Sequence, residues 1–365
     1  MEHGKQCIVV GGGIAGASVA WHLARSGRED VMVVEREESP GTHASSQNAA
    51  MVRSLELESG FASLALEGAD FWRDLPAELD APGRFRKVGS LLLASEESSL
   101  CRLRQTAFAH QSRSQEWSAR RCREVVPALV DTPVLGGVFT PGDGVADPVG
   151  LVSAFLAGSE RRGVEVRTSC NVADIHAPNR RVRGLVLGDG QVLPAQQVVL
   201  AAGAWAPDLM ARAGAADRGL RPYRRHLFCT AEVAGHVPGM GPEAPFVWHI
   251  DGNAYMRWEA GGMLFSACDE DLVEAGRPGT HPEIAEFANR RLSKVFPFLV
   301  DLPVSRCWAG LRSFAADRHP VLGADPEIEG LFHAAGLGGH GVTCAGSAGR
   351  LVAASIEAQM GSVAG

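Results

Sequence analysis

The stretch Cys7-Ile8-Val9-Val10-Gly11-Gly12-Gly13-Ile14-Ala15-Gly16-Ala17-Ser18 decides the fold. Its four leading apolar residues read as a buried strand, the glycines as a tight turn, and Ile14 onward as a helix. In the spacing Gly11-x-Gly13-x-x-Gly16 the first glycine makes the turn, the second leaves backbone bare to an approaching pyrophosphate, and the third lets the helix pack closely on its strand. The free N–H groups of the first helical turn, at Ile14 and Ala15, and the helix dipole favour that anion. A second apolar run, Val31-Met32-Val33-Val34, ends at Glu35, where a carboxylate can accept hydrogen bonds from an adenosine ribose. These residues imply an adenine dinucleotide and leave FAD and NAD both open.

The whole chain sets the bounds. Its 365 residues suffice for two domains or one large two-part unit with a sizeable core. With 45% hydrophobic and 21% charged residues the composition is that of a soluble globular protein, and a net charge of -7 argues against nucleic acid as the main partner. No apolar run is long enough to cross a bilayer, and the apolar N-terminus is read as part of the fold rather than as a cleaved leader. Eight scattered cysteines without a C-x-x-C pair or zinc spacing imply reduced thiols, a cytoplasmic location and no metal.

After Glu35 a polar, turn-rich segment leads into Gln47-Asn48-Ala49-Ala50-Met51-Val52, small residues past which a long cofactor can run; a surface loop followed by a helix is the other reading. Helices are expected over residues 61–79, 96–114, 147–156 and 282–294. Strands are expected over 88–94, 136–139, 164–167 and 197–205, as an antiparallel pair within 182–192, and repeatedly through 221–266. Another strand is expected near 331–335, and the glycine-rich run from Gly336 leads into a final helix whose start is placed at residues 339–343. Nucleotide-binding grammar thus appears at the beginning, middle and end, with strand-rich insertions between. One domain is assembled from discontinuous pieces.

Five blocks together resemble the FAD-dependent amine and amino-acid oxidoreductase family, the group of glycine oxidase, sarcosine oxidase and D-amino-acid dehydrogenases. They are residues 9–18, Val33-Val34-Glu35-Arg36, Ala201-Ala202-Gly203-Ala204-Trp205, the run Trp308-Ala309-Gly310-Leu311-Arg312-Ser313-Phe314 continuing to Asp317, and Gly338-Gly339-His340-Gly341. Within the family the chain looks closest to the D-arginine dehydrogenases. The resemblance selects FAD, noncovalently held. It implies a mixed α/β (α+β) fold with a discontinuous Rossmann-like FAD-binding domain of residues 1–85, 145–215 and 305–365. The substrate domain, residues 86–144 and 216–304, is built on an antiparallel β-sheet.

By the same resemblance the cofactor contacts are Gly11, Gly13, Ile14, Ala15, Gly16, Glu35, Arg36, His43, Ala44, Ser45, Asn48, Ala49, Ala50, Met51, Val172, Ala202, Gly203, Trp205, Gly338, Gly339, His340, Gly341, Val342 and Thr343. His43 is also the candidate counterpart of a histidine that anchors flavin in some relatives. Substrate contacts are Arg312, a planar bidentate donor suited to a carboxylate, then Arg225, the hydroxyl of Tyr255, and Phe246 against the pocket wall. The implied reaction oxidises the C–N bond of a D-amino acid or small N-substituted amino acid by hydride transfer to flavin N5. The imino acid then hydrolyses to a 2-oxo acid and ammonia or amine.

Departures narrow the substrate. The glutamate with which D-arginine dehydrogenases receive a guanidinium has no counterpart at Lys87-Val88-Gly89-Ser90, so a neutral, apolar or acidic side chain is expected. The oxygen-activating lysine of sarcosine oxidases has no match around Phe265-Ser266-Ala267-Cys268, which points toward a dehydrogenase with a quinone or other carrier, oxygen remaining the alternative acceptor. Two other readings stay open: oxidation of a larger amine, and a flavin-binding subunit of a multi-protein dehydrogenase.

Overall fold

A computed structural model describes residues 6–79, 81, 83–109, 113–232 and 237–363. The opening motif forms β1 (Cys7–Val10), α1 (Ile14–Arg25) and β2 (Val31–Val34). β1 is the centre of a six-stranded sheet with β2 and then Glu165–Arg167 on one side, and Gln197–Leu200, Leu331–Ala335 and Val321–Ala324 on the other. All pairs are parallel except the last. Because side chains alternate along a strand, Cys7 and Val9 enter one apolar core with α1 and the helices Pro148–Glu160 and Ala345–Val363, while Ile8 and Val10 enter another. That second core lies beneath a three-stranded antiparallel sheet (Val172–His176, Gly184–Leu187, Val192–Pro194) and the helix Ala206–Arg212. Burial on both faces is why these strands read as unbroken apolar runs.

The strand-rich insertions build a second, nine-stranded sheet. Arg221–Thr230 pairs along its length with Val304–Phe314 and, on its other edge, with Gly262–Ser266 and Asp271–Leu272; the order then runs Ala254–Glu259, Phe246–His249, Ser90–Ala94, Gly136–Thr140, Gln115–Ser118. It is mixed rather than wholly antiparallel, since Phe246–His249 lies parallel to Ser90–Ala94. One face packs on the helix Ile284–Val295. The other meets the loop after β2, where Ala49 and Met51 touch Leu227, Tyr255 and Leu264.

Several expected boundaries move. The 61–79 helix is Ala62–Arg73 followed by a short turn at Ala77–Leu79, and the 96–114 helix is Glu97–Ala109, residues 110–112 lying outside the described set. The strand expected to reach Trp205 stops at Leu200, and Gly203–Trp205 is a single helical turn. Small-residue runs carry no period, so this end was not legible. The final helix starts at Ala345, leaving residues 341–344 as hydrogen-bonded turns. After β2 the chain runs as turns to the two-residue strand Met51–Val52, with no helix before Ala62. None of the described helices is long and apolar enough to cross a membrane.

α1 sits so near β1 that a Cβ on Gly16 would lie 2.0 Å from the Gly11 carbonyl oxygen. Gly16→Ala must push the helix off its strand, at a cost of about 1–3 kcal/mol. Urea denaturation should show that loss, and an unchanged midpoint would mean the close approach is not required.

Candidate active site

A cavity of about 510 Å³ runs from the end of β2 to the glycine-rich turn at residues 338–341. At one end it is lined by Glu35, Arg36 and the segment 170–173, and in the middle by Gly11, Gly13, Ile14, Ala15 and residues 201–205. The other end is formed by Gln47, Leu311, Arg312, Ser313, Leu337, Gly338, Gly339, Gly341 and Val342.

Glu35 is held rather than free. Its carboxylate accepts the Gly12 N–H at 2.7 Å and the Glu37 N–H at 2.9 Å, which fixes it at the cavity wall. Ser45, from the loop after β2, accepts the Ile14 N–H at 2.9 Å and so covers one open position of the α1 N-terminus. The N–H groups of Gly13 and Ala15 find no acceptor among the described residues and border the cavity. Beside them the Arg36 guanidinium lies 3.5 Å over the Trp205 ring, His43 packs 4.7 Å from the same ring, and His43 Nε2 hydrogen-bonds Glu37 at 2.9 Å.

At the opposite end the mixed sheet delivers Arg312. Its neighbour Gly310 is needed because a Cβ there would lie 2.3 Å from the Gln47 carbonyl oxygen, so only glycine lets the loop lie against the strand. Arg312 Nη2 donates to that oxygen at 3.1 Å and Nη1 to the Leu311 carbonyl at 3.0 Å. The side chain is 6% exposed and forms no ion pair with any described carboxylate. Burial, with the nearby Arg225 charge, lowers its pKa, the mark of a cation short of an anion.

Arg225 is different. It is buried, but its Nε donates to the Asp269 carbonyl and its Nη2 pairs with Glu270 at 2.6 Å. Tyr255 is 3% exposed and faces Ser266 across its strand pair, its hydroxyl pKa raised by burial. Phe246 is fully buried in the sheet.

Of the residues named from sequence, Gly11, Gly13, Ile14, Ala15, Glu35, Arg36, His43, Ala44, Ser45, Asn48, Val172, Ala202, Gly203, Trp205, Arg312, Gly338, Gly339, Gly341 and Val342 line the cavity. Gly16, Ala49, Ala50, Met51, His340, Thr343, Arg225, Tyr255 and Phe246 do not. His340 turns away to meet Glu56 at 2.9 Å, and Thr343 accepts the Arg53 N–H at 3.2 Å. Gln47, the head of the small-residue run, lines the cavity; sequence reading missed Arg53, Glu56 and Arg257, whose buried guanidinium donates to the Ala49 carbonyl at 2.6 Å. The pair Arg53 and Glu56, three apart between Val52 and Leu57, was the available signal.

Residues 6–355 match the family model described as FAD dependent oxidoreductase (DAO). The chain belongs to that family, and its cofactor is FAD. It is 28% identical over 359 residues to the 4-methylaminobutanoate oxidase (formaldehyde-forming) of Paenarthrobacter nicotinovorans, covering 95% of this chain but 43% of the relative. The chain therefore spans less than half the length of that protein. It is 26% identical over 359 residues to the glycine oxidase of Bacillus licheniformis, covering 96% and 92% of the two chains. Among solved structures, the L-proline dehydrogenase of P. horikoshii superposes with a TM-score of 0.86 at 23% identity, covering 98% of this chain and 94% of that one, a likeness of fold.

The cavity fits FAD on its own terms: an elongated space, open N–H donors at Gly13 and Ala15, and a fixed acid at one end. Glu35→Ala removes that acid and the acceptor for Gly12. Equilibrium dialysis should show FAD affinity reduced about tenfold or more, the worth of a hydrogen bond to a charged group; unchanged affinity would remove Glu35 from the cofactor site.

Proposed function

We propose that the protein oxidises the C–N bond of a small amino acid or N-substituted amino acid, D-amino acids included, whose carboxylate is held by Arg312. The observation that carries this reading is the buried Arg312 guanidinium, which borders the cavity with two carbonyl oxygens and no ion pair to a described carboxylate. A planar bidentate ligand of opposite charge is what such a group lacks. The names of the relatives, a methylaminobutanoate oxidase and a glycine oxidase, agree with an amino-acid substrate.

FAD, held by the Gly11–Gly16 turn, Glu35, the 43–48 loop and the 338–342 turn, supplies the two-electron acceptor. The chain's own residues position the substrate. Gln47 orients Arg312 through its carbonyl, and Glu270, already paired with Arg225 and Arg318, offers no free charge to a cationic side chain. The buried Glu56 offers no free charge either, since Arg53 and His340 already pair with it. A neutral, apolar or acidic side chain follows, with an imino acid product that hydrolyses in water.

FAD is proposed to be held noncovalently, Leu311 standing where sarcosine oxidases carry the anchoring cysteine and His43 pairing with Glu37. The division into an FAD part and a substrate part stands as a proposal, with the strand Val304–Phe314 joining the substrate sheet. Electron transfer to a quinone or to oxygen and a cytoplasmic location complete the reading.

Anaerobic titration with D- and L-amino acids, sarcosine, glycine and proline tests it. A neutral amino or imino acid should bleach the flavin, more readily than D-arginine. If none does, the substrate class is wrong. Acid precipitation should release the yellow colour into the supernatant, whereas a yellow pellet would mean a covalent link.

A further inference from the structure

Behind the glycine-rich turn lies a buried charge cluster that the proposed chemistry does not use. Glu56 is 3% exposed. Its Oε1 accepts the N–H groups of Leu57 at 2.7 Å and Glu58 at 3.1 Å, and its Oε2 takes Arg53 Nη2 and His340 Nε2, the latter at 2.9 Å. Although burial alone would raise its pKa, Arg53 and His340 hold it well below the usual carboxylate range. The acid stays charged and every lone-pair direction is used.

His340 is clamped in turn. Its ring stacks on Phe61 with centroids 4.1 Å apart, and its Nδ1 is buried with no partner among the described residues. The turn has further fastenings: Thr343 Oγ1 takes the Arg53 N–H, and Trp72 Nε1 donates to the Val342 carbonyl at 2.7 Å. Meanwhile Gly339, Gly341 and Val342 border the cavity, and their N–H groups find no acceptor among the described residues.

We infer that Glu56 is a positioning residue: by gripping His340 from behind, it fixes the 339–342 turn so that its open N–H groups face the flavin ring. Reduction places negative charge on that ring, and preoriented donors stabilise it without having to move. Releasing the turn therefore penalises the reduced form more than the oxidised one. The inference rests on the reading of this turn as the flavin-ring end of the cavity.

The test is a redox titration of the FAD-loaded Glu56→Ala variant, driven by dithionite with indicator dyes. The reduced-to-oxidised ratio at a given potential should fall about tenfold, roughly the worth of one hydrogen bond, moving the midpoint about 30 mV lower. Glu56→Gln keeps an acceptor for His340 and should recover most of the shift. An unchanged midpoint in FAD-loaded Glu56→Ala overturns the inference. If that variant does not accumulate folded, His340→Asn, which leaves Arg53 and Glu56 paired, carries the same expectation and the same contradiction. Because the reductant is chemical, a wild-type flavin that no amino acid reduces would refute the proposed substrate class and leave this measurement intact.

Discussion

A guanidinium buried without an acid to answer it is costly, and the structure around Arg312 keeps it in that condition. The strand Val304–Phe314 fixes it through a continuous ladder with Arg221–Thr230, in which Arg312 stands opposite Tyr223. Gly310 lets the loop after β2 press against the strand, and the Gln47 carbonyl then points at the guanidinium. Two dipoles offset part of the desolvation but cannot neutralise the charge. In the proposed function the remaining deficit is met by a substrate anion that arrives from the cavity.

That loop joins the two halves of the site. It leaves the nucleotide-binding sheet at β2, gives Ser45 to the N-terminus of α1, and is gripped by Arg312 and Arg257 of the second sheet at Gln47 and Ala49. The same loop thus ties the wall of the FAD cavity to the setting of Arg312. The glycine-rich turn at 338–342 closes the same end from the opposite side, and its orientation comes from side chains the cavity never sees.

Most of the first sheet was legible because its signals are local. A strand, a glycine turn and a helix start lie within twelve residues, and the acid after β2 follows at the distance a ribose requires. The 338–342 turn and Arg312 were legible only through resemblance, since a lone arginine in an apolar strand says nothing about its partners. What escaped was long-range: the pairing of Arg225, the second candidate after Arg312, with Glu270, and that of His340 with Glu56, join residues 45 and 284 positions apart. Arg257 pairs locally with Glu259, but its contact with the Ala49 carbonyl, 208 residues away, gave no sign. The strand end before Trp205 and the start of the last helix failed for another reason, small residues and glycines having no period to follow.

The central claim is that Arg312 recognises a substrate carboxylate. Its most direct test compares flavin reduction by the best amino acid and by the amine that lacks only its carboxylate, in the wild-type protein and in Arg312→Met. Losing one partner of a buried charge pair costs about 2–5 kcal/mol, so the variant should reduce with the amino acid at least about 30-fold less efficiently while changing little with the amine. An equal loss for both compounds, or no loss for either, would contradict the claim and place the carboxylate elsewhere.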